Sequence, residues 1–99
     1  MQSNYPERFE REMGCTEAEW LRALPGAMGA CAWTQTAQAI DAEVPPGRLR
    51  IEWREGAPRV IALMRMPRMH VSFAFSGLTD AQRHRFMKRF DLYMQRGGG

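Results

Sequence analysis

Ser72, Ser76, His70 and His84 are the side chains that could pair a nucleophile with a base. Their spacing matches no known signature, and neither a GxSxG elbow nor a phosphate-binding P-loop is present. Cys15 and Cys31 could hold a metal with His70 or His84, but no CxxC or HxxxH pair sets two ligands on one element. Two reduced thiols are the simpler reading, because two cysteines make no disulfide framework of the kind small secreted domains use. Paired carboxylates suited to acid–base work are missing from the expected sheet. No catalytic residue, cofactor site or metal site is therefore assigned, and no cofactor is expected.

The remaining chemistry is cationic. Arg83, Arg85, Lys88, Arg89 and Arg96 cluster near the end of the chain, where they could neutralise phosphates while Tyr93 or Trp53 stacks on a base. The plainer explanation is a solvated helix face opposite a core stripe. Charge is unevenly spread along the chain. Before Gly47, seven acids face three arginines; from Gly47 onward, eleven basic residues face four acids. Such a division suits an anion-docking face, or two halves that attract each other across the fold. Thirteen arginines against a single lysine, Lys88, fit the codon supply of a GC-rich bacterial genome. That usage cautions against treating each arginine as a phosphate ligand.

The elements that must position these residues follow from periodicity. Tyr5, Phe9 and Met13 recur every four residues, which suits a short amphipathic helical turn ended by Gly14. Thr16 and Glu19 form a capping box for a helix over 16–24 that presents Trp20, Leu21 and Leu24, with Pro25 and Gly26 as its stop. Residues 32–44 fit a helix, through Ala37, Ile40 and Val44, or an edge strand turning at Pro45, Pro46 and Gly47; we favour the strand. Leu49, Ile51 and Trp53 alternate with Arg50, Glu52 and Arg54 as a strand with one wet face. Residues 60–66 are apolar apart from Arg65, the pattern of a central strand, and Met69, Val71, Phe73 and Phe75 line one face of the next. Thr79 or Asp80 then caps a helix whose stripe is Phe86, Met87, Phe90, Tyr93 and Met94.

The expected fold is α+β: an antiparallel meander of three to four strands, with an N-terminal helix and a long C-terminal amphipathic helix packed on it. Residues 1–99 make one domain, with 1–14 and 97–99 flexible. The helix–three strands–helix order is similar to that of double-stranded-RNA-binding domains, a likeness of topology that no residue motif accompanies. Gly97, Gly98 and Gly99 resemble the di-glycine tail of ubiquitin-like modifiers. Those tails follow a strand, however, and here Gly97 reads as a helix C′ residue and the rest as a frayed end. Residues 1–7 lack the basic and apolar regions of a secretory signal, and no apolar run nears the roughly 20 residues of a membrane span. These features suggest a small cytoplasmic bacterial protein with no membrane partner. The expected role is a non-catalytic protein-interaction module. A nucleic-acid-binding module using the basic helix is second, and a small enzyme without a recognisable motif third. Because Ile61 and Leu63 need a cover, a homodimer is also expected.

Overall fold

The computed structural model describes residues 4–96, and the side chain of Arg96 is outside that description, as are Gly97, Gly98 and Gly99. The fold is α+β, in the order β1 (Arg8–Met13), α1 (Glu17–Met28), β2 (Trp33–Thr36), β3 (Ala39–Val44), β4 (Gly47–Glu55), β5 (Arg59–Ile61), β6 (Met64–Met66), β7 (Met69–Ser76) and α2 (Asp80–Arg96). Five strands form one antiparallel sheet in the order β1-β7-β4-β3-β2, and β5 and β6 form a separate two-stranded hairpin. The sheet is thus wider than the expected meander.

It gains β1, where the periodicity suggested a helical turn, and two strands, β2 and β3, where one was expected over residues 32–44, while residues 60–66 lie outside it. A spacing of four satisfies a period of two as well as one of 3.6. Paired with β7, Phe9 stands opposite Phe73 and Met13 opposite Met69 on the core face. Helix α1 starts as expected, with Thr16 Oγ1 accepting from the Glu19 amide at 3.1 Å and Glu19 Oε1 accepting from the Thr16 amide at 2.9 Å. It runs through Pro25, however, and ends at Gly29, whose left-handed φ of 65° turns the chain away. Burial of Ala27 and Met28 supports this last turn despite the amide that proline lacks. Residues 32–44 form strands, folded into a hairpin at Ala37 and Gln38, so that Ile40, Ala42 and Val44 face the core. Ala37 takes the positive φ of 54° that this two-residue turn requires. The Pro45–Pro46 peptide bond, in the next turn, is cis.

Both helices cover one face of the sheet. Phe90, fully buried, meets Phe73 edge-on at 5.6 Å between ring centroids, and Phe86 meets Phe75 at 5.9 Å. Trp20 of α1 lies 5.5 Å from Trp53 and 6.0 Å from Phe90, joining both helices to β4. Two charged residues share this face. Arg11, on the core side of β1, donates to Asp91 of α2 at 2.7 Å, and the Tyr5 hydroxyl donates to the other Asp91 oxygen at 3.0 Å. The Arg11 guanidinium also lies 5.3 Å from the centre of the Phe73 ring.

Glu17 fastens α1 to the sheet, accepting from Gln38 Nε2 at 3.0 Å and from the Trp53 indole N–H at 2.8 Å. These two bonds, Gln38 first, hold its carboxyl below the 4.5 of a free glutamate. A depressed value means the tie is intact above that pH and is lost as pH falls through the lower folded value. Tryptophan emission is expected to titrate with a midpoint below 4.5, and the transition should vanish in Glu17→Gln.

Candidate functional site

The feature least explained by the core is the β5–β6 hairpin, an arm inserted between β4 and β7. At its root, Glu55 pairs with Met69 and the Gly56 amide donates to the Arg68 carbonyl at 2.8 Å, so the main ladder closes without the arm. Pro58 and Pro67 flank the arm, and a residue without an N–H cannot extend a central ladder. Beyond them Arg59 pairs with Met66, Val60 with Arg65 and Ile61 with Met64, around a turn in which Ala62 has a φ of 54°. Every residue from Ala57 to Pro67 is exposed. Leu63 at the tip is 102% exposed, and Val60, Ile61, Met64 and Met66 range from 42% to 65%.

This corrects the expected central strand over residues 60–66. An apolar run reads as buried because burial is what usually makes it favourable. Here the run turns back on itself at Ala62 and Leu63, and neither α1 nor the main sheet covers it. Met64 and Met66 are exposed on the arm, whereas Met69, Met87 and Met94 are buried. Single exposed apolar side chains are ordinary, but five within seven residues form a patch that marks an interaction site. From Gly56 to Arg68 the sequence holds three arginines and no acid. Arg68 is tied to Glu12 at 2.8 Å, while Arg59 and Arg65 have no partner among the described residues. The available sequence signal was the pair of prolines framing eight residues that lack an acid.

The candidate cations whose side chains are described differ in what they contact. Arg83 turns inward, donating to the carbonyls of Tyr5 at 2.8 Å and Leu78 at 2.7 Å and to Asp80 at 3.0 Å. Arg89 donates to the Ala27 carbonyl at 3.1 Å in the last turn of α1, supplying from α2 the cation that this helix end lacks. Its guanidinium lies 4.7 Å from the centre of the Tyr93 ring and fills the space beside Gly29, where a Cβ would collide with it. Arg85 and Lys88 are exposed, with no partner among the described residues. Arg96 ends α2. Trp53, considered as a stacking platform, is 3% exposed.

The uncovered face of the sheet is wet and charged. Ser72, Ala74 and Ser76 of β7 lie between Arg8 and Glu10 on one side and Arg48, Arg50 and Glu52 on the other, beneath an open hollow of about 550 Å³ at the Ser76 end. Arg50 is bound to Asp41 at 2.7 Å and to Glu52 at 3.0 Å. The arginines of the second half do meet acids of the first, as Arg50–Asp41 and Arg68–Glu12 show. The sheet separates Ser72 and Ser76 from His84, which lies with α2 and meets the Tyr5 ring at 5.6 Å. His70 stands 3.9 Å from Glu12 at the root of the arm. Among the described residues, no three His, Cys, Asp or Glu side chains are placed to hold a metal.

Cys15 and Cys31 are free thiols, the first buried and the second partly exposed. Burial, then the nearby Glu19 carboxylate, pushes the Cys15 thiol above its ordinary value. Alkylation without reductant should label Cys31 in the native protein and Cys15 only after denaturation. Protection relieved only by reductant would instead reveal a disulfide. No protein-family model matches the chain, and no similar curated protein was found.

Proposed function

We propose that the chain is a non-catalytic interaction module that docks through the β5–β6 arm. The observation that carries this reading is the exposure of Val60, Ile61, Leu63, Met64 and Met66 on a hairpin that the main sheet does not need. Burying Leu63 in a partner contributes about 1.5–3 kcal/mol and each of the partly exposed side chains a share of that, which together help offset the freedom lost on association. The five-stranded sheet and its two helices act as the mount. The reading places the module in a bacterial cytoplasm, as the arginine-rich, cysteine-poor composition suggests.

Nucleic-acid binding by α2 has less support, since Arg83 and Arg89 already serve the fold and only Arg85 and Lys88 of the described cations there are unpartnered. Oligonucleotide affinity is expected to stay at the non-specific level, roughly 10⁻⁴–10⁻⁶ M at physiological salt.

A photoreactive side chain placed at position 63 tests the proposal in the cell of origin. It should give abundant crosslinks that the same probe at position 88 does not. Equal or absent crosslinking at position 63 would count against the arm.

A further inference from the structure

We infer that the arm's partner is an anionic lipid surface, with Leu63 and its apolar neighbours entering the headgroup–acyl boundary and Arg59 and Arg65 meeting lipid phosphates. This rests on the reading of the arm as the docking element. Three observations identify the occupant.

The first is that apolar side chains occur on both faces and at the tip of the arm, with one arginine on each face. Residues paired across an antiparallel ladder share a face, so Ile61, Met64 and Met66 lie on one side with Arg59, Val60 lies on the other with Arg65, and Leu63 is at the tip. A flat protein patch would cover one side only. A lipid boundary surrounds whatever enters it. The second observation is charge: the arm carries cations and no acid, which complements anionic headgroups, and arginine's long stem lets its head stay at the phosphates while the stem lies among acyl chains. Leu63 lies four positions beyond Arg59, at most about 13 Å at strand rise, against a boundary depth of about 5–10 Å. The outer edges of β5 and β6 keep unpaired backbone groups, which confines the arm to the hydrated boundary.

The third observation argues against a second copy of this chain as the natural acceptor. Outside the arm, the exposed large apolar side chains among the described residues are Leu92 and Tyr93. They lie on α2 beside Arg85, Lys88 and Arg89, where a cationic arm is repelled. Arm against arm would bring the Arg59 and Arg65 pairs together. Among the described residues no helix is long and apolar enough to cross a membrane, so the attachment is peripheral and reversible.

Co-sedimentation with extruded vesicles of phosphatidylcholine containing phosphatidylserine, compared with pure phosphatidylcholine, tests the inference. Binding is expected on the anionic vesicles, weakening with salt, and on the neutral ones only marginally. Leu63→Asp should lower partitioning more than tenfold, and Arg59→Gln and Arg65→Gln about fivefold each. Arg85→Glu with Lys88→Glu should leave it within about twofold, because those residues lie off the arm. All the arm substitutions are outside the core, and unchanged circular dichroism will confirm that they fold. No binding to anionic vesicles at low salt, or binding indifferent to Leu63→Asp, would overturn the inference. So would loss of binding in the α2 variant alone, or an arm-dependent dimer in sedimentation velocity. If position 63 crosslinks to a protein while vesicles are ignored, the arm still docks but its partner is a protein cleft. If neither occurs, the docking proposal falls as well.

Discussion

Phe90→Ala is expected to lower the free energy of unfolding by about 3–5 kcal/mol. The Phe90 ring is fully buried, edge-on to Phe73, and within 6.0 Å of both Trp20 and Phe86. Those rings belong to α1, β7 and the preceding turn of α2, so the cavity left by alanine has no single neighbour able to fill it. Domains of this size are stable by about 5–15 kcal/mol, so the variant should lose about a fifth or more of its stability. Urea unfolding followed by far-ultraviolet circular dichroism measures this directly. A midpoint unchanged within error would mean that α2 does not pack on β7.

Asp91→Ala should cost a similar amount for a different reason. The Asp91 carboxylate is the acceptor for both Arg11, at 2.7 Å, and the Tyr5 hydroxyl, at 3.0 Å, beneath α2. Removing it leaves a largely buried guanidinium facing Phe73 without its counter-charge, an omission worth about 3–5 kcal/mol. The double variant Arg11→Met with Asp91→Leu should lose markedly less than the two single losses combined, since neither charge is then left alone. Additive losses would show that Arg11 and Asp91 do not depend on each other.

The legible parts of the sequence were those where one periodicity dominates. The alternation in β4 and β7, the Thr16–Glu19 box and the stripe containing Met87, Phe90 and Met94 all fold as their spacing implies. β1 was not legible because a four-residue spacing serves strand and helix alike, and only the partner strand β7 decides between them. Pro25 looked like a stop because a proline's local cost is visible in sequence, whereas the burial of Ala27 and Met28 is not. Arg11 and Asp91, eighty positions apart, carry no local mark of their pairing. The arm was misread for the opposite reason. Its composition is that of a core strand, and exposure is a property of the whole fold rather than of residues 60–66. Arg83 and Arg89 were indistinguishable in sequence from Arg85 and Lys88; only the fold brings the carbonyls of Tyr5, Leu78 and Ala27 within their reach.

Excising the arm tests the central claim most directly. Because Gly56 and Arg68 are already hydrogen-bonded, residues 57–67 can be replaced by Asn-Gly, a two-residue turn suited to joining adjacent antiparallel strands. The shortened chain is expected to unfold at the midpoint of the parent protein while losing its arm-dependent attachment, to vesicles or to crosslinked partners. A shortened chain that fails to fold would show that the arm belongs to the core, and one that folds and still attaches would show that docking lies elsewhere.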